Sequence, residues 1–183
     1  MVTRRLTTEA APEKPVEAVD LPEKQSIPFA PLAISAISLI PFITCSVIPF
    51  AFPFEIAGKA LFMQMTYGAV SLSMLGTVHW GLALAEFKRS DTAVEAVEIA
   101  KPSTSDQMLR YVGGVLPGLA SWMFMTQAPV MGMVGLMGGF TMLALFEIGA
   151  HKARLLPAWY MRLRMPWTII TILCLGINLI HML

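Results

Sequence analysis

Hydrophobic residues in this chain gather into five long stretches behind a polar start, with none of the strict alternation of a half-buried strand. The stretches run from about Phe29 to Phe50, Leu61 to Ala85, Tyr111 to Thr126, Val130 to Ala150 and Trp167 to Leu183. Crossing the roughly 30 Å of bilayer hydrocarbon takes about 20 helical residues at 1.5 Å each. The first, second and fourth stretches exceed that length. The fifth, with 17 residues, barely spans, and predicts either a thinned membrane or a partner around it. Helices are expected because unpaired backbone groups in lipid cost several kcal/mol each, and no ten-residue alternating barrel strands occur. Residues 1–28 alternate Pro, Glu, Lys, Val and Thr without an apolar period. They bury too little surface to offset their ordering entropy, so alone in water they are expected to be disordered and to order only against a partner. The pattern predicts an all-α membrane protein: an extended polar tail over 1–28, then a bundle of five transmembrane helices over 29–183.

Composition sharpens this picture. Apolar residues make up 56% of the chain before its 13 glycines are counted, and charged residues only 14%. Soluble domains hold roughly 45–50% and 25%, so a water-soluble globule is excluded. Net charge is +1, and no basic run is interleaved with stacking aromatics, which sets nucleic-acid binding aside. Cys45 and Cys174 both fall inside apolar stretches, as packing thiols do, and fit neither a disulfide scaffold nor a zinc motif. Basic residues fix an orientation. Arg4, Arg5, Lys14 and Lys24 precede the first span. Lys88, Arg89, Lys101 and Arg110 lie between the second and third, and Lys152, Arg154, Arg162 and Arg164 between the fourth and fifth. The other face holds Lys59 alone. The positive-inside rule puts the basic face, and the N-terminus, in the matrix of a mitochondrion or the cytoplasm of a bacterium.

Small residues recur at helical spacing. Ala69, Ser73, Thr77 and Gly81 repeat every fourth position on the second span, with Gly68 and Gly76 on the adjoining strip; Gly114 and Gly118 lie on the third span, Gly135 and Gly139 on the fourth. Such faces bring backbones close. They also suit a solute path, but tight helix packing is the commoner use. Pro41 and Pro117 each remove a helix donor and are expected to kink or loosen their helices. Ionisable residues inside the spans are few: His79 and Glu86 on the second and Glu147 on the fourth, with His151 and His181 near ends. Each is a candidate functional group because ionisable side chains in lipid are expensive. His79 and Glu147 form a possible intramembrane polar site for proton relay. The blander expectation for His79 is a neutral ring bonded to a neighbouring helix. No second histidine lies at the depth a doubly ligated haem needs. No catalytic set, metal motif or phosphate loop is visible, so neither enzyme activity nor a cofactor is expected.

The segment Pro157-Ala158-Trp159-Tyr160-Met161-Arg162-Leu163-Arg164 combines interfacial aromatics with phosphate-binding arginines. Trp159, Tyr160, Arg162 and Arg164, with Lys152 and Arg154, make a candidate site for an anionic phospholipid such as cardiolipin, an ordinary interfacial anchor being the alternative. Met123, Met125, Met131, Met133, Met137 and Met142 cluster around the third and fourth spans. Copper traffic uses thioethers, but soft gap-filling is the commoner role. Asp91 to Ile99 has a weak helical period, and its acidity suits a partner better than a lipid surface.

Three stretches together resemble a known family: Ser38-Leu39-Ile40-Pro41-Phe42; Tyr67-Gly68-Ala69 through Leu75-Gly76-Thr77-Val78-His79-Trp80-Gly81; and Pro157-Ala158-Trp159-Tyr160 with Leu163-Arg164. They are similar, in this order, to the transmembrane protein 69 family, small five-span proteins of bacterial and mitochondrial inner membranes. Val115-Leu116-Pro117 and Trp122 fit as well, over about residues 32–167. The resemblance implies localisation and topology more than chemistry, since the family brings no established active site. The long tail and short last stretch depart from it and favour a chain adapted to contact neighbours.

The resulting expectation is a non-catalytic integral subunit of a larger inner-membrane complex, such as a mitochondrial respiratory-chain or ATP synthase assembly, in contact with membrane lipids and other membrane subunits. A proton-linked carrier or channel using His79 and Glu147 is the alternative, and a transient assembly factor the third reading.

Overall fold

The computed structural model describes residues 27–92, 104–152 and 156–183, with side chains at 27–84, 108–152 and 156–183. The tail over 1–26, Arg154, and all but the start of the acidic 91–99 segment lie outside the described residues. Every regular element among them is helical: α1 (Phe29–Ala51), α2 (Phe54–Thr92), α3 (Thr104–Met125), α4 (Pro129–Lys152) and α5 (Ala158–Met182). Three of these, α1, α4 and α5, are long and apolar enough to cross a membrane. Consecutive helices run antiparallel, as their facing residues show: Ser38 with Tyr67 and Ser46 with Gln64, Gly76 with Gly114 and Trp80 with Tyr111, Phe124 with Gly132 and Gly113 with Phe146, and Phe140 with Trp167 and Glu147 with Arg164.

The fifth helix differs from expectation. It has 25 residues rather than 17, because the aromatic and basic segment read as a loop forms its first two turns. Pro157 stands at the N-cap without a side-chain cap bond, and its carbonyl accepts the Tyr160 N–H at 3.1 Å. Pro166 sits inside and removes one ladder bond without ending the helix. Hydropathy excluded these turns because it counts Arg164 as a surface charge, whereas Arg164 is buried. No thinned membrane is needed to accommodate a helix of this length.

The core centres on Phe42, which is fully buried and meets Tyr67 of α2, Phe140 of α4 and Trp167 of α5 edge-on at centroid distances of 5.1, 6.3 and 5.8 Å. One side chain of α1 thereby touches three other helices. Around it lie Leu72, Met133, Leu136 and Leu175. The most extensive helix contact joins α2 to α3, where glycines let the backbones approach. A Cβ at Gly76 would fall 2.7 Å from the Gly114 carbonyl oxygen, and one at Gly114 only 2.6 Å from Trp80 Cδ1. Trp80 closes this seam by donating its indole N–H to the Tyr111 carbonyl at 3.0 Å. On α4, Gly135 and Gly139 receive the Phe124 ring and the Leu72 side chain, at 2.4 and 2.5 Å from where a Cβ would stand. The stripe of small residues on α2 rotates outward along the helix: Ala69 is buried, Ser73 half-buried, and Thr77 and Gly81 exposed. Gly68 and Gly76, on the adjoining strip, are buried.

Candidate functional site

Glu147 of α4 and Arg164 of α5 meet inside the bundle, at 0% and 4% exposure. Arg164 Nε donates to both carboxylate oxygens, at 3.1 Å to Oε1 and 2.9 Å to Oε2. The Tyr160 hydroxyl donates to Oε1 at 2.8 Å. The helix turn explains the grouping: Tyr160 and Arg164 stand four residues apart on one face of α5. Glu147 is about 8 Å below the end of α4 and Arg164 about 9 Å below the start of α5, so the antiparallel hairpin brings them level. A lone carboxylate in so dry a place would cost several kcal/mol, and it stands here only because it is paired. The guanidinium also lies 5.0 Å over the Trp167 ring. Its two terminal nitrogens, Nη1 and Nη2, are buried and have no hydrogen-bond partner among the described residues.

Arg164 and Tyr160 also form part of the wall of a cavity of about 310 Å³ between α1, α2 and α5. Its mouth is marked by Ile34, Val70 and Met74, side chains on the outer faces of α1 and α2, so it opens sideways from the bundle rather than through it. Deeper in, Tyr67 donates its hydroxyl to the Ser38 carbonyl at 3.0 Å and Trp167 its indole N–H to Ser38 Oγ at 2.8 Å. The three stretches behind the family resemblance thus converge here, through Ser38, Tyr67, Tyr160 and Arg164. Sequence reading separated Glu147 from Arg164, giving one to an intramembrane polar pair and the other to a lipid surface; the fold joins them.

His79, assigned with Glu147, is 2% exposed. Its ring packs edge-on to Phe146 of α4 at 4.7 Å, its Nε2 has no partner among the described residues, and Arg110 and Arg164 are within electrostatic range. No hydrogen bond joins His79 to Glu147. His151 Nδ1 lies 3.0 Å from the Leu156 carbonyl oxygen, while His181 packs on Phe50 at the far end of the bundle. Of the remaining lipid-site candidates, Trp159 is half-buried, and Arg162 and Lys152 are exposed. Among the described residues no group of three His, Cys, Asp or Glu side chains is placed to hold a metal ion. Met133 is buried, Met125 and Met137 lie against the core, and Met123, Met131 and Met142 face outward.

A second polar cluster, near the α1–α2 link, escaped the sequence reading. Pro49 has no N–H to give the Cys45 carbonyl four residues back, and Asn178 Nδ2 of α5 supplies the missing donor at 3.1 Å. Asn178 also donates to Gln64 Oε1 of α2. Gln64 Nε2 in turn donates to Ser46 Oγ at 2.9 Å, and Ser46 to the Cys174 carbonyl at 3.0 Å. Asn178 is the chain's one asparagine, set in an apolar stretch and level with a proline-interrupted helix. Those features together were the available signal.

A family model described as "Protein of unknown function (DUF3429)" matches residues 27–180, which is most of the chain, so the chain belongs to that family. Comparison with curated proteins and with solved structures gives no match.

Proposed function

We propose that this member of the family is a five-span inner-membrane protein that serves as a non-catalytic integral subunit of a larger membrane assembly. The observation that carries the reading is the engagement of Glu147. Both oxygens of this carboxylate are taken by Arg164, one of them also by Tyr160, so the most expensive charge in the bundle acts as a brace between α4 and α5 rather than as an exchangeable proton site. The sideways mouth of the cavity supports the same view, because a carrier needs a path between the two faces. All five helices crossing is supported by where the polar groups of α2 and α3 lie. Gln64, His79, Arg110 and Ser121 are buried, while Phe62, Met63, Val70, Met74, Leu119 and Trp122 face outward. Mean hydropathy counts the buried polar groups and so understates how apolar the outer surface is. The family resemblance read from the sequence belongs to this proposal, as does the placement of the N-terminus on the basic face.

Extraction in a mild detergent followed by native electrophoresis tests the subunit reading. Migration with co-purifying membrane chains is expected, and migration as a free 20.0 kDa species overturns it. A second reading, proton-linked transport, is favoured by Nε2 of buried His79, which has no partner among the described residues. Reconstituted vesicles decide it: pH-driven flux that His79→Ala abolishes supports transport, and the absence of flux rejects it.

A further inference from the structure

We propose that the cavity between α1, α2 and α5 binds one anionic phospholipid, its phosphate on Nη1 and Nη2 of Arg164 and an acyl chain in the groove. The inference rests on the membrane-spanning reading above and gives the side cavity an occupant. Three observations point to this ligand. Nη1 and Nη2 are buried and have no hydrogen-bond partner among the described residues; they are the part of the guanidinium that Glu147 leaves open, and N–H groups so placed need an acceptor, which Arg164 meets by turning its tip into the groove it lines. Arginine presents paired donors in a planar fork that matches phosphate oxygens. Charge favours an anion. Glu147 neutralises Arg164, while Arg162 and Lys152, near the start of α5 and the end of α4, are exposed and basic. The shape fits as well. The groove follows α2 from Val78 to Tyr67, about 16 Å of helix, with Val70, Met74 and Leu75 as an apolar wall and Ile34 at the rim. Its lateral mouth admits a chain from the surrounding lipid without a water-filled entrance.

The full-length chain in mild detergent is incubated with phosphatidylglycerol, phosphatidylcholine or diacylglycerol of identical acyl chains, and retained lipid is read by native mass spectrometry. Phosphatidylglycerol is expected to be retained about tenfold over diacylglycerol, which has no phosphate for Arg164 to hold, and over phosphatidylcholine, whose trimethylammonium cancels the net charge that Arg162 and Lys152 favour. Ser71→Phe narrows the groove without touching the Glu147–Arg164 pair and is expected to remove the preference at unchanged Tm. Met74→Trp at the rim gives the same readout should Ser71→Phe unfold the bundle. Equal retention of the three lipids, or a preference that survives both substitutions, overturns the proposal. So does a cross-link from residues 1–26 to position 74 that phosphatidylglycerol fails to displace, since the occupant is then the chain's own tail. Absence of selectivity in the unsubstituted chain with its five crossings intact rejects the lipid site alone, whereas a wrong crossing number rejects the spanning reading beneath it.

Discussion

Glu147 and Arg164 set the cost of every substitution around them. With both present, two charges share one desolvated site; with one gone, the other is left buried without a counter-charge. Arg164→Met is expected to destabilise the bundle by about 3–5 kcal/mol, and Glu147→Leu by a similar amount. The double variant Glu147→Leu/Arg164→Met is expected to recover most of that loss, because replacing a buried pair with apolar residues is often close to neutral. Denaturant unfolding in bicelles measures all three, and a double variant as unstable as the sum of the singles would mean that the two side chains do not depend on each other. The sequence made Glu147 conspicuous, since a carboxylate within an apolar stretch is rare, but it did not disclose the partner. Arg164 stands among aromatic and basic neighbours that also suit a lipid interface. Only the level meeting of α4 and α5 separates the buried arginine from Arg162, which stays exposed two residues away.

At the scale of elements, small residues and prolines decide which helices approach and what must repair them. Gly76 faces the Gly114 carbonyl, so Gly76→Ala is expected to push α2 from α3 and cost about 1–3 kcal/mol. Gly81 has nothing within 4 Å of its would-be Cβ, so Gly81→Ala is expected to leave Tm unchanged or slightly raised. A thermal shift assay on the two variants checks the contrast, and equal effects would dissolve the seam. Small-residue spacing identified which helices can pack closely but not the angular drift that turns Thr77 and Gly81 outward, since a repeat of four slowly circles a helix of 3.6 residues per turn. Asn178 offers a second test at this scale. Asn178→Leu strands the Cys45 carbonyl that Pro49 leaves open and is expected to cost about 0.6–1.7 kcal/mol. In a Pro49→Ala background, where the backbone supplies its own N–H, the same substitution is expected to cost less. An equal cost in both backgrounds would show that the carbonyl is not what Asn178 serves. Helix existence was legible from apolar length, whereas the start of α5 was not, because a buried ion pair carries charges into a segment that hydropathy assigns to water.

For the whole molecule, charge along the sequence and contacts in the fold bear on topology independently. Basic residues gather before α1, from the end of α2 to the start of α3, and from the end of α4 to the start of α5, while the α1–α2 and α3–α4 links carry none. Charged side chains resist transfer through the bilayer, so the links with the excess stay on the side of synthesis. The fold adds that reversal at each described short link fixes the relative direction of the helices it joins. These two constraints give the five-crossing proposal a sharp consequence. In a background lacking Cys45 and Cys174, cysteines placed at positions 52, 127 and 183 are expected to react with a membrane-impermeant maleimide from one side. Those at positions 27 and 152 are expected to react only from the other side. Positions 127 and 152 flank α4, one of the three helices already apolar enough to cross, and so serve as the internal standard. Positions 52 and 127 flank α2 and α3, whose crossing rests on outward-facing apolar side chains around buried polar ones. Labelling of 52 and 127 from opposite sides would leave one of these two helices lying along the membrane, with Arg110 or His79 held there instead of inside the bundle. Were α2 the displaced helix, the side cavity would lose a wall; in either case the five-span form behind the subunit role and the lipid site would not survive.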